Sequence, residues 1–257
     1  MPEQALEPLR LAPSDAGLFI DFDGTLSEIV DSPEMARPAP GVIELLHPLS
    51  RRLKLVAIVS GRSAHQLVEW LGPDIEIWGL HGAERSDAGQ VVLSHRAVAY
   101  EELMPAVAAE ARAALALDGI QVENKGAMVG LHYRQAPDRA SAEKLVAEVA
   151  QDLADRHGLI VGTGRLVVEL RPPMGFSKAT VILERTRESE LAAVAFVGDD
   201  IVDLPAFDAL DELAAEGVAT VKIAVNSSEA PAELLRRADI VVQGPSGVVT
   251  LLRGLLD

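Results

Sequence analysis

Two carboxylates one residue apart, in Asp21-Phe22-Asp23-Gly24-Thr25-Leu26, follow directly on the apolar run 17–20. Side chains alternate along an extended strand, so this spacing sets Asp21 and Asp23 on one side of it, while Gly24 lets the chain turn and Thr25 supplies a hydroxyl and an amide. Two acids on one face in an apolar setting repel, which predicts a raised pKa for one of them. Three further groups invite attention: Ser60-Gly61-Arg62 after the apolar run 53–59, Lys178 in Gly175-Phe176-Ser177-Lys178, and Gly198-Asp199-Asp200-Ile201-Val202-Asp203 after the run 194–197. Each has a plainer explanation when taken alone: an Asp-Gly turn with a capping Thr, a helix N-cap at Ser60, a solvated lysine, an acidic helix start.

The elements that must position these groups read as short strands alternating with helices. Apolar runs at 17–20, 53–59, 76–80, 194–197, 221–225 and 240–242 have the composition of buried strands in a largely parallel sheet. Helical spacing at 41–52, 63–71, 178–185, 204–215 and 247–256 completes an α/β, doubly wound, Rossmann-like core. Ligands of such sheets bind at the carboxyl ends of the strands, where Asp21 falls. From about residue 96 to 171 the rhythm changes to a helix at 101–117, strands at 120–123 and 127–133, a helix at 138–157, and strands at 159–161 and 166–170. This predicts an antiparallel α+β cap inserted as residues 96–171 into a core of 1–95 and 172–257, with hinges near 94–99 and 172–175.

Bulk properties narrow the function classes. A net charge of −16 opposes nucleic acids and anionic membranes, and no apolar run is long enough to span a bilayer. Residues 1–11 carry Glu3, Glu7 and Arg10 and do not resemble a secretory signal. With no cysteine, thiol nucleophiles and thiolate metal sites are excluded, and a reducing cytoplasm is the default expectation. A monomer binding a small molecule is the working picture.

Together the four segments resemble the ordered motifs of the haloacid dehalogenase superfamily. That resemblance implies Asp21 as nucleophile, Asp23 as general acid and base, Ser60 as a phosphate contact and Lys178 as the cation that stabilises the aspartyl phosphate. It implies Mg²⁺ held by Asp21, the backbone carbonyl of Asp23 and Asp199, with Asp200 and Asp203 orienting the ligands or Lys178. Thr25 and Gly61 would lie against the phosphate.

The inserted unit is similar to the cap of trehalose-6-phosphate phosphatases at Val122-Glu123-Asn124-Lys125-Gly126, at His132-Tyr133-Arg134 and at Val167-Val168-Glu169-Leu170-Arg171-Pro172, and Gly79-Leu80-His81-Gly82-Ala83-Glu84 looks like that family's core segment. The likeness implies trehalose 6-phosphate as substrate, a cap able to close over the site, sugar hydroxyls held by Glu123, Lys125 and Glu169, and Arg62 and His81 on the core side of the pocket. Two departures stand out: Ala179 follows Lys178 where the family commonly has Gly, and Val202-Asp203-Leu204 replaces Thr-Asp-Glu. Other readings are a phosphatase for sucrose 6-phosphate or a glycosyl phosphoglycerate, a non-catalytic phosphosugar-binding module, and a mutase sharing the aspartyl phosphate.

Overall fold

The computed structural model describes residues 2–30, 33–173 and 175–256; Met1, and Met174 within the second expected hinge, lie outside them. The chain divides into two compact units, Met1–Val92 with Phe176–Asp257, and Leu93–Gly175.

The first unit is organised by β1 (Ala16–Ile20), β2 (Leu55–Val59), β3 (Glu76–Gly79), β4 (Glu84–Asp87) and β5 (Gln90–Leu93). The second contributes β6 (Gln121–Asn124), β7 (Val129–His132), β8 (Ile160–Gly164) and β9 (Val167–Arg171), before β10 (Ala193–Gly198), β11 (Ala219–Asn226) and β12 (Ile240–Gln243) complete the first. The large sheet runs β12-β11-β10-β1-β2-β3-β4-β5. Its strands β12 to β3 are parallel, and β3 pairs antiparallel with β4.

Every residue of β1, β2 and β10 is buried, because helices cover both faces of a parallel sheet. Alternate residues therefore enter different cores. Leu18, Ile20, Val56, Ile58, Ala195 and Val197 pack with helices Val42–Arg52, Ala64–Leu71 and Gly244–Gly254. Phe19, Ala57, Val59, Val194 and Phe196 pack with Lys178–Glu188 and Leu204–Ala215, where Phe196 meets Phe207 edge to face at 6.3 Å. Each fully buried phenylalanine contributes about 1.5–3 kcal/mol, so the doubled core fixes β1 firmly between its neighbours.

Strand order reverses at β1. The chain leaves β1 toward β2 and β3 on one side, then returns to β10, β11 and β12 on the other. Ile20 is level with Val197 and with Ile58, so Asp21 emerges beside Val59 and Gly198, the last residues of β2 and β10, at the carboxyl edge of the sheet. This switch point is where open α/β sheets bind ligands.

The second unit is a four-stranded sheet in the order β6-β7-β9-β8, antiparallel throughout. Val129, Leu131, Val168 and Leu170 face helices Met104–Ala114 and Arg139–His157. The helix expected over 101–117 is the shorter Met104–Ala114, and the hinge expected near 94–99 instead carries a separate helix, His95–Glu101, that ends before it. Pro105 explains the later start: it lacks an amide hydrogen and fits the first turn of the second helix, not the interior of a longer one. Strands β4 and β5 and the helix Ala232–Arg237 also lie outside the expected elements.

Candidate active site

Asp21 continues the line of β1, its amide donating to the Val197 carbonyl at 2.9 Å. Beyond it the chain folds tightly on itself: Leu26 N–H donates to Phe22 O at 2.8 Å, and Gly24 N–H to Ser27 O at 2.9 Å. Gly24 adopts φ +77°, and a Cβ there would collide with the Asp199 carboxylate. Both the left-handed backbone and the close approach require glycine. Gly24→Ala is expected to cost about 1–3 kcal/mol of stability and to push Asp199 out of line, read by thermal unfolding with and without a divalent cation. Thr25 is buried beside it and its hydroxyl donates to Asp199 Oδ1 at 3.4 Å.

Lys178 is the first residue of helix Lys178–Glu188, whose start is fixed by a capping box between Ser177 and Thr180. Its buried ammonium lies 2.7 Å from Asp21 Oδ1 and 2.6 Å from Asp203 Oδ1. Asp203 accepts from the amides of Asp199 and Asp200 through its other oxygen, at 2.9 and 3.0 Å. Both Asp203 oxygens are thus engaged in holding Lys178 and the loop after β10. One oxygen from each of Asp21, Asp199 and Asp203 falls within 4.8 Å of the others.

Burial holds the Asp21 carboxyl well above its ordinary pKa, Asp203 and Asp199 push it further, and Lys178 opposes them. The carboxylates that repel Asp21 are those of the loop after β10, in place of the Asp23 that its spacing suggests. For Lys178, burial favours the neutral amine, yet the Asp203 and Asp21 carboxylates more than offset it and keep it charged well above its usual range.

These residues suit a hard divalent cation. Three buried carboxylates gathered against one ammonium leave an excess of negative charge, and the donors are all oxygen. Gly24 keeps the space before Asp199 clear of a side chain.

Ser60 and Arg62 sit in the loop after β2, locked to the loop after β3. His81 N–H donates to Ser60 O at 2.9 Å and Leu80 N–H to Arg62 O at 2.8 Å. Ser60 Oγ accepts from the Arg62 amide at 3.2 Å. His81 holds φ 58°, a left-handed conformation that costs a non-glycine residue about 1–3 kcal/mol and persists where packing demands it. A Cβ on Gly61 would come within 2.9 Å of the His81 ring, so glycine is needed for the two loops to touch. Arg62 turns its guanidinium to Asp23, with Nε and one terminal nitrogen each 2.7 Å from a different carboxylate oxygen. Asp200 caps the short turn Ile201–Asp203, its Oδ1 accepting from Ile201 N–H at 2.6 Å.

Glu84, Gln66 and Trp70 are site-supporting residues that stand outside the sequence motifs' expected roles. Glu84 is buried and its carboxylate accepts from Ala64 N–H at 2.6 Å and Ser63 Oγ at 3.0 Å, completing the start of the helix that follows Arg62. The available signal was that start itself, whose orphan amides call for an acceptor.

In the second unit Glu123, Lys125 and Glu169 share the face of the sheet opposite its apolar core. Lys125 Nζ is 2.9 Å from Glu169 and 3.9 Å from Glu123. Arg171 Nε donates to Glu169 at 2.9 Å, and His132 Nε2 lies 2.9 Å from Glu123. Register explains how five charged or titratable groups fit. Glu123, Gly130, Glu169 and Gly162 form one row across β6, β7, β9 and β8. A Cβ on Gly130 would meet His132 and Lys125 at 3.0 and 3.2 Å, and one on Gly162 would meet Arg171 at 2.6 Å. Each glycine leaves room for a long polar side chain to lie across the sheet.

A chain named trehalose-phosphate phosphatase from Mycobacterium marinum is 37% identical over 202 residues, 75% of this chain and 51% of that protein. The chain spans about half the length of the curated relatives it matches. The C-terminal domain of a C. albicans trehalose-6-phosphate phosphatase superposes with a TM-score of 0.81 at 22% identity, covering 99% of this chain and 96% of that one. A haloacid dehalogenase-like hydrolase from Bacteroides thetaiotaomicron superposes at 0.64 with 15% identity, over 93% and 99%. These likenesses show the fold, a mixed α/β sheet with an inserted cap. The family model for trehalose-phosphatase matches residues 19–239, so this chain belongs to the trehalose-phosphatase family.

Proposed function

We propose that the chain is a Mg²⁺-dependent phosphatase that hydrolyses trehalose 6-phosphate to trehalose and phosphate through an aspartyl phosphate on Asp21. The observation that carries the reading is the junction of three distant segments at one point: Lys178 bridges Asp21 and Asp203, with Asp199 alongside. Such a cluster has little value as a stability device, because burying three carboxylates is costly. The substrate is carried over from the family and from relatives named for that phosphate ester, and from the acid–lysine–acid group on the second unit, whose carboxylates suit vicinal hydroxyls.

Asp21, Asp199 and the backbone carbonyl of Asp23 would hold the Mg²⁺, while Asp203, with both oxygens engaged, would orient Lys178. Bound there, the ion would offset the repulsion between Asp21 and an anionic phosphoryl group. A carboxylate oxygen of Asp21 attacks phosphorus; the bond from phosphorus to the sugar oxygen breaks, and that oxygen takes a proton from Asp23. Asp23 then accepts a proton from water as the water oxygen attacks phosphorus, and the bond to Asp21 breaks to return the carboxylate and release phosphate. Lys178 stabilises negative charge as it develops on the transferring group. Ser60, Thr25 and Gly61 would contact the phosphate, and Arg62 and His81 would lie near it in the first unit. A monomer working in the cytoplasm completes the proposal; among the described residues no helix is long and apolar enough to cross a membrane.

The test is phosphate release from trehalose 6-phosphate, sucrose 6-phosphate, a glycosyl phosphoglycerate and glucose 6-phosphate, with Mg²⁺ and with chelator. Trehalose 6-phosphate should lead the panel by an order of magnitude or more in kcat/KM, with activity lost on chelation and restored by Mg²⁺. Preference for another ester would replace the substrate; hydrolysis of none would end the reading.

A further inference from the structure

Arg62 does not resemble a residue waiting for an anion. Its side chain is 9% exposed, whereas that of Asp23 is 45% exposed. The guanidinium stacks over Trp70 at 5.2 Å and Phe22 at 5.7 Å, and its NH1 donates to Gln66 Oε1 at 2.9 Å. Trp70 in turn packs on Phe22 at 5.3 Å. The Arg62 backbone carbonyl accepts from Leu80 N–H and its amide donates to Ser60 Oγ. The remaining edge of the fork, Nε and NH2, meets both oxygens of Asp23 at 2.7 Å.

An exposed ion pair ordinarily contributes little, because two long side chains must be ordered to make it. Here the cation is ordered in advance by two aromatic rings and an amide, so Asp23 meets a fixed fork. The two parallel bonds set the plane of the carboxylate, and each of its oxygens keeps a second lone pair. General acid and base catalysis depends on that geometry, since the proton must reach an oxygen within hydrogen-bond distance.

We propose that Arg62 is a positioning residue for Asp23, acting through the fork and not through contact with the substrate phosphate. The inference rests on the proposed phosphatase reading, in which Asp23 protonates the leaving oxygen and later deprotonates water. It places Arg62, Gln66 and Trp70 in one device whose output is the orientation of a single carboxyl group.

Leaving-group dependence separates this from phosphate binding. A sugar alkoxide needs a proton as it departs; 4-nitrophenolate departs without one. In Arg62→Lys, which keeps the charge but loses the planar fork, kcat for trehalose 6-phosphate should fall on the order of 10²-fold, and kcat for 4-nitrophenyl phosphate at least about tenfold less than that. Gln66→Leu, which releases the third edge of the guanidinium, should show the same ester pattern with a smaller loss. Residual turnover of the aryl ester reports that the site remains folded. Equal losses on both esters, or a rise in KM common to both, would make Arg62 a phosphate contact and overturn the inference. Asp23→Ala is the reference: if its loss does not depend on the leaving group, Asp23 is no general acid and both readings fall, and hydrolysis of neither ester by the parent enzyme does the same. Leaving-group dependence in Asp23→Ala but not in Arg62→Lys overturns the positioning role alone.

Discussion

Asp21→Asn should lose phosphate release by a factor on the order of 10⁴ or more, and in the absence of metal it should melt no lower than the parent protein. Loss of the nucleophile explains the first result. The second follows from the site's electrostatics. Burial, with Asp203 and Asp199, raises the Asp21 pKa in the folded state against the opposing effect of Lys178. A carboxyl whose folded pKa lies above its unfolded value binds its proton more tightly when folded. Its contribution to stability is complete below the ordinary carboxylate range and is lost as pH rises through the raised value. As pH rises through that raised value the parent gives up a proton that the fold favours, whereas asparagine is neutral throughout. Thermal unfolding with chelator, from about pH 4 to about pH 8, should show the parent losing ground to Asp21→Asn as pH increases. Added Mg²⁺ should raise the parent's melting temperature more than the variant's, because the variant has lost a ligand. A variant that melts lower at neutral pH and gains as much from Mg²⁺ would show that Asp21 serves the fold instead of the chemistry. Such opposition between activity and stability is common where a site concentrates like charges.

The position of Asp21 was legible because β1 is buried on both faces and reads as an unbroken apolar run, and because the acids begin where that run ends. The same logic located β2, β10 and the loops after them. Strand β4 is illegible for the converse reason: Glu84–Asp87 is polar throughout, and its place beside β3 depends on pairing, not on its own periodicity. Helix His95–Glu101 falls where a hinge was expected, since seven residues between a strand and a longer helix carry little periodicity of their own, and Pro105 marks where its successor starts. Within the site, residue types were legible and partners were not. Arg62 lies 39 positions from Asp23, and nothing local to either records that Trp70 and Phe22 will turn the guanidinium that way. On the second unit the acids and lysine were visible, but Gly130 and Gly162 acquire meaning only once register aligns them with Glu123 and Glu169.

Lys178→Met should produce the largest loss of stability of any single substitution in the site, about 3–5 kcal/mol at neutral pH, together with loss of turnover. The ammonium is 2% exposed and bonds to Asp21 and Asp203, both buried. Methionine fills a similar volume but leaves those two carboxylates without their cation in a low-dielectric setting. The folded-state pKa of Asp21, which burial raises and Lys178 lowers, would then stand higher than in the parent, so the penalty should be greatest at neutral pH and shrink as Asp21 protonates on acidification. By chemical denaturation, the gap between parent and variant should close on acidification, and Mg²⁺ should restore part of it by supplying positive charge to the same oxygens. Adding Asp203→Asn should recover some stability without recovering activity, a non-additivity expected of groups in direct contact. A variant within about 1 kcal/mol of the parent at neutral pH would mean that the cluster already carries protons in place of its cation. A gap that stays constant on acidification would assign the loss to packing. The predicted pattern instead ties stability and chemistry to one arrangement: a lysine held by two acids lets Asp21 be both buried and available to attack.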